Sequence, residues 1–143
     1  MASVAAVSIS REKGVVKAPV ESAELKAGHG LAGDAHAGGA GRQVSLLGRE
    51  SLEKMLEKLP DLGPGAFAEN ILTEGIALSE LAIGTRLRVG KALLQVTQIG
   101  KECHTACSIR QKTGDCVMPR EGIFAIVLTG AVIRAGDAVE VIP

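Results

Sequence analysis

Aromatic residues are nearly missing from this chain of 143 residues: it has two phenylalanines, no tyrosine and no tryptophan. That removes the stacking platforms on which single-stranded nucleic-acid binders lay successive bases. A charge of one sign is missing as well, because 16 basic residues balance 16 acidic ones to give +0. No net field therefore draws the protein to nucleic acid or to anionic lipid. Nor is there an apolar run near the ~20 residues that a bilayer crossing needs. The opening MASVAAVSISREKG lacks a basic region ahead of its apolar stretch and reads as a strand rather than an export signal. These absences set the expectation of a cytoplasmic protein with neither a nucleic-acid nor a membrane partner. Cysteine is scarce at three residues, and an odd number of thiols in a reducing compartment points to chemistry or metal rather than to a disulfide framework.

What is present is ordinary for a globular protein, with 46% hydrophobic and 22% charged residues. The length suits a single domain over residues 1–143 that buries its own core. Branched apolar residues come in short runs bounded by glycine. Strands are expected at residues 4–10, 14–20, 43–47, 67–72, 85–89, 92–98, 123–128 and 138–142, with Gly90-Lys91 as a tight hairpin turn. Only residues 49–59 carry a helical period. There Leu52, Met55, Leu56 and Leu59 fall on one face, Glu50 and Lys54 lie four apart, and Pro60 with Gly63-Pro64-Gly65 ends the run. Residues 27–41 are dense in glycine and read as a long irregular loop, a functional candidate because compact domains seldom keep such loops idle. The expected fold is mostly β: a closed or partly open β-barrel with one principal α-helix and a long glycine-rich loop, since closure removes unpaired sheet edges.

Gly28-His29-Gly30-Leu31-Ala32-Gly33 matches the GxGxxG dinucleotide fingerprint in letters, but that fingerprint works by turning a strand into a helix whose N-terminus holds pyrophosphate. The following Asp34-Ala35-His36-Ala37-Gly38-Gly39 has no helical period, so the motif is rejected as a nucleotide site.

Cys103-His104-Thr105-Ala106-Cys107 and then Cys116 place every thiol of the chain within fourteen positions, just after an expected strand. A thiolate is both a soft nucleophile and a soft-metal ligand, so the cluster suits sulfur transfer or metal capture, with Cys103 and Cys107 as the candidate reactive and metal-binding residues. His104, Lys101 and Arg110 would favour the thiolate if close in space. Against this, a buried free cysteine often serves as a small hydrophobe, and Cys116 beside Val117 and Met118 suits that role. Structural zinc is a further alternative, although CxxxC with one downstream cysteine does not reproduce the paired knuckles of common zinc sites. His29, Asp34 and His36 form a second polar group set in glycine-rich backbone that a ligand can approach. Asp34 equally suits a turn, and the histidines either transfer protons or are solvated. Arg42 and Arg120 are candidates for gripping an anion such as a phosphate.

Read in order, a longer set of segments accumulates: Lys17-Ala18-Pro19-Val20, residues 28–38, Arg42-Gln43-Val44-Ser45-Leu46-Leu47, Phe67-Ala68-Glu69-Asn70-Ile71, Thr73-Glu74-Gly75, Ile83-Gly84-Thr85-Arg86-Leu87, Gln98-Ile99-Gly100-Lys101 and Met118-Pro119-Arg120-Glu121-Gly122-Ile123-Phe124-Ala125. This ordered set covers nearly the whole chain and resembles the MOSC domain, the module at the C-terminus of molybdenum cofactor sulfurases, here in a free-standing short form. The resemblance implies a barrel-like β fold and a role in sulfur or molybdenum cofactor metabolism. It implies that His29, Asp34, His36, Arg42, Glu69, Asn70 and Arg120 contribute to binding molybdopterin. By the same resemblance the key thiol falls on Cys103 or Cys107, with Cys103 the first choice.

In the sulfurases a separate pyridoxal-phosphate domain mobilises sulfur. The chain shows no such domain, so pyridoxal phosphate is expected to belong to a partner: a cysteine desulfurase, a cofactor biosynthesis protein or a molybdoenzyme. Larger MOSC reductases hold molybdopterin with a cysteine sulfur on the metal and carry an extra β domain that is not evident here. Three functions follow as expectations: a sulfur carrier or molybdenum-cofactor-binding accessory protein, a molybdenum-dependent reductase of N-hydroxylated compounds, and a non-catalytic domain with a structural metal.

Overall fold

The computed structural model describes residues 2–9, 18–34, 37–38, 43–50, 53, 69–99 and 122–142. These form strands β1 (Ser3–Ile9), β2 (Ala18–Val20), β3 (Ser22–Lys26), β4 (Gly30–Leu31), β5 (Val44–Gly48), β6 (Ile71–Glu74), β7 (Arg86–Val89), β8 (Ala92–Ile99), β9 (Ile123–Thr129), β10 (Ala131–Arg134) and β11 (Val139–Ile142), with a 3-10 turn at Leu78–Glu80. Eight strands make one sheet in the order β11-β7-β8-β9-β5-β6-β1-β2, and three make a second in the order β10-β3-β4. Among the described residues no helix is long and apolar enough to cross a membrane.

Alternation of side chains across the strands builds the core. On β7, Leu87 and Val89 are buried while Arg86 and Arg88 are exposed, and on β8 Ala92, Leu94 and Val96 are buried in the same rhythm. Val89 pairs with Ala92, so the connection is the two-residue turn Gly90-Lys91, with Gly90 at the positive φ of 59° that primed hairpin turns demand. Both sheets feed one cluster: Leu25, Leu31 and Ile133 of the small sheet pack with Val7, Leu46, Ile71, Leu94 and Ile123 of the large one. On β1 the buried valines are Val4 and Val7, three apart rather than two. The register against β6 shifts between Val4 and Ala6, and this bulge turns both toward the core.

The structure corrects the expectation of a closed barrel. β11 and β2 end the large sheet, and no ladder joins them among the described residues. Closure stops at a single bridge, Ser3 with Ala138, supported by Val4 N donating to Asp137 O and Val139 N donating to Ala2 O. The reason is that one edge of β1 serves two neighbours. Its first residues meet the β10–β11 turn, while Val7, Ser8 and Ile9 are taken by β2. Both outer edges are blunted: Pro19 removes a donor from β2, and Val139 N is already spent on Ala2.

The expected irregular loop at 27–41 also proves more ordered, because Gly30–Leu31 pairs with β3 as strand β4. β5 and β6 are parallel, which requires a crossover of a dozen residues or more. The intervening residues supply it, and Arg49, Glu50 and Glu53 are helical. The rest of the expected helix lies outside the described residues. Among the described residues the Arg49 guanidinium meets Glu53 at 3.5 Å and Glu74 at 3.2 Å.

Candidate functional site

Ile99, Ile123, Leu46, Ile71, Val7 and Val20 are successive cross-strand partners, an aliphatic row running across six strands. One residue further along, the row turns polar. Gln98 lies opposite Phe124, Phe124 lies opposite Ser45, Ser45 is bonded to Asn70, and Asn70 is bonded to Ser8. Strand alternation sends Ser45, Leu47, Leu72 and Phe124 to the face turned away from the central cluster, and none of them belongs to it. They are nevertheless buried. The large sheet thus has a second covered face, where Asn70 is bonded to Ser45 and is 0% exposed; Glu69 beside it in the chain is 1% exposed.

Asn70 holds three strands together. Its Oδ1 accepts from Ser45 N at 3.0 Å and from Ser45 Oγ at 3.2 Å. Its backbone N–H donates to Ser45 Oγ at 3.0 Å and to Ser45 O at 2.9 Å. Its Nδ2 donates to Ser8 O at 3.2 Å, and Ser8 N donates back to Asn70 O at 2.7 Å. An aspartate could accept from Ser45 but could not donate to Ser8, so the carboxamide is required by the geometry. The clip fixes where β5 and β6 start, and with them Glu69 next door.

The glycine-rich stretch is a chain of tight turns. His29 N donates to Lys26 O and Asp34 N to Leu31 O, and in each turn the third residue is a glycine at positive φ, Gly28 at 68° and Gly33 at 83°. That is the geometry in which glycine is the favoured residue. Ala37 N donates to Asp34 O and Gly38 N to His29 O. A Cβ placed on Gly28 or Gly33 would meet nothing within 4 Å, so bare backbone faces open space there beside the exposed His29. Gly30 is different: its absent Cβ would sit 2.5 Å from Gln43 O. Two glycines of the GxGxxG match are thus turn residues and the third makes a close packing contact.

His29 and Asp34 therefore share one hairpin, while Asn70 belongs to the second face of the large sheet and Glu69 adjoins it in the chain. β9 links the two: Val127 O accepts from Gly28 N at 2.9 Å, and three residues earlier Phe124 lies opposite Ser45. That separation is about 10 Å along a strand. His36, Arg42, Cys103, Cys107 and Arg120 lie outside the described residues, and among the described ones no three His, Cys, Asp or Glu side chains gather as a metal site. The connection that carries the three cysteines leaves the sheet at Ile99 and rejoins it at Ile123, and these two are direct cross-strand neighbours. Ser8, Gln43 and Ser45 are contributors that sequence reasoning missed. For Gln43 and Ser45 the one signal is a polar residue at alternate positions beside Val44, Leu46 and Leu47; Ser8 lies in β1 and carries no such signal.

The MOSC domain model matches residues 33–140. The chain belongs to the MOSC domain family. That family is associated with the molybdenum cofactor. Among solved structures this MOSC domain is similar to the YuaD protein from Bacillus subtilis, with 20% identity, a TM-score of 0.79, and 99% of this chain and 96% of that one covered. It is also similar to YiiM from Geobacillus stearothermophilus, with 19% identity, a TM-score of 0.77 and coverages of 100% and 76%. YiiM from Escherichia coli shares 23% identity at a TM-score of 0.67, with coverages of 100% and 70%. These likenesses show a common fold. A search of curated proteins finds no match.

Proposed function

We propose that this MOSC domain is a sulfur-carrier or molybdenum-cofactor-binding accessory protein of the cytoplasm that works through a thiolate at Cys103 or Cys107. The observation that supports it is the anchoring of the cysteine-bearing connection. Its two ends, Ile99 and Ile123, are paired beside the buried Ser45–Asn70 clip, so a rigid sheet holds the chain on both sides of the thiols.

In the carrier reaction the thiolate attacks the terminal sulfur of a persulfide on a cysteine desulfurase. A new sulfur–sulfur bond forms on this chain, the old one breaks, and the desulfurase cysteine leaves as a thiolate. Pyridoxal phosphate stays with that partner.

Some described residues fit a pterin cofactor. Gly28 and Gly33 offer backbone with open space before it, and exposed His29 stands between them. Asn70, whose Oδ1 and Nδ2 are bonded to Ser45 and Ser8, supports the frame. Asp34 and Glu69 are buried and neither is free, so they would act on a ligand through the contacts they keep. Arg42 and Arg120, as holders of the anionic phosphate, and His36 complete the proposed binding set. The molybdenum cofactor, when bound, supplies a redox-active metal on an anionic pterin.

Intact mass after incubation with a cysteine desulfurase and cysteine tests the reading. One added sulfur, about 32 Da, is expected on the wild type and is lost in Cys103→Ala or Cys107→Ala. Mass left unchanged, together with no molybdenum or pterin in protein from a cofactor-producing host, would overturn it.

A further inference from the structure

β5 ends its pairing with β9 at Val44 opposite Ala125. In an antiparallel strand the N–H and C=O of one residue point the same way, so two residues on, at Val127, both groups again face the side that β5 occupied. Among the described residues no strand fills that place. Val127 N donates instead to Gln43 Oε1 at 3.0 Å, and Val127 O accepts from Gly28 N at 2.9 Å. A side-chain carboxamide and one hairpin amide together stand in for a missing strand peptide. Gln43 reaches the hairpin through its backbone, since its carbonyl oxygen lies 2.5 Å from where a Cβ on Gly30 would be. It is 6% exposed, so this bond is shielded from water.

We infer that Gln43 is a positioning residue: its carboxamide latches the Gly28–Gly33 hairpin onto β9 and so sets where the hairpin's bare backbone and His29 stand relative to the Ser45–Asn70 face. The latch itself follows from the hydrogen bonds, and only its consequence for ligand handling rests on the function proposed above. Gln43→Leu keeps the bulk and removes the acceptor, leaving Val127 N–H buried without its partner. Gln43→Glu retains an oxygen at the same reach.

Amide hydrogen exchange measured residue by residue tests the latch. In Gln43→Leu the amides of Gly28 and Val127 should exchange at least about fivefold faster, the change expected when one shielded hydrogen bond of ordinary strength is lost. Leu46 and Ile71 should keep their protection, and Gln43→Glu should return Gly28 and Val127 toward the wild-type rates. Unchanged rates at Gly28 and Val127, or an equal acceleration at Leu46 and Ile71, would overturn the inference.

A second readout is sulfur loading from a cysteine desulfurase. Gln43→Leu should raise the donor concentration for half-maximal loading at least about fivefold while leaving the maximal rate within twofold, and Gln43→Glu should restore it. Equal half-maximal concentrations in wild type and Gln43→Leu would remove the positioning role. Wild-type protein that takes up no sulfur would end the carrier reading, and the exchange rates would still decide the latch.

Discussion

Ser45 and Asn70, 25 residues apart in sequence, share four hydrogen bonds at the start of the only parallel pair among the described strands. Both are buried, so each bond broken leaves a polar group without water to replace it. Asn70→Ala should therefore destabilise by about 2–4 kcal/mol, combining orphaned donors with a small cavity. Urea denaturation would read this as a lower midpoint, and a midpoint near wild type would show that the clip is dispensable. Asn70→Asp should not rescue, because Ser8 O would still lack its donor.

Thr73 points the opposite way. Its Oγ1 is buried and finds no partner among the described residues. Thr73→Val replaces a hydroxyl of nearly the same shape by a methyl and should be neutral or stabilise by about 1 kcal/mol. A fall in melting temperature on that change would mean that the hydroxyl is satisfied after all.

Two glycines of one hairpin should respond very differently to alanine. At Gly28 the φ of 68° costs an alanine about 1–2 kcal/mol, and the added methyl has room. At Gly30 the φ of 125° and the Gln43 carbonyl both oppose a side chain, so the cost should exceed about 3 kcal/mol. Comparison of the two unfolding midpoints checks the order, and equal losses would refute it.

Arg49 bridges to Glu74 at 3.2 Å, but the side chains are 54% and 43% exposed. Arg49→Ala should cost no more than about 1 kcal/mol, an amount that shrinks further at high salt. A larger, salt-independent loss would show that the arginine matters through packing instead.

β7, β8 and β9 were legible in the sequence. Residues 86–89 and 92–96 alternate on either side of the Gly90-Lys91 turn, and 123–128 is an unbroken apolar run. β3, β4 and β10 were not legible. β3 offers only Ala23 and Leu25 among polar residues, β4 has two residues, and β10 has four, so their strand character comes from pairing with one another rather than from local pattern. Of the closed and partly open alternatives, the closed one failed on a competition for one edge of β1 that no local pattern encodes. Of the site, the turn glycines were visible as a cluster. Asn70 and Glu69 entered through family resemblance alone, and the Ser45–Asn70–Ser8 and Gln43–Val127 bonds join residues 25 to 84 positions apart, which a linear reading does not connect.

β1 pairs with β6 some 70 residues away, and its first residues bond to the turn before β11. A nascent chain therefore cannot finish its sheet until residue 139 is free to reach back. Contacts this distant put folding at the slow end for a domain of this size, on the order of milliseconds to seconds. Until then the start of β1 lacks its bonds to residues 136–139, so the interval when this protein is most vulnerable to aggregation falls during synthesis rather than in the finished molecule.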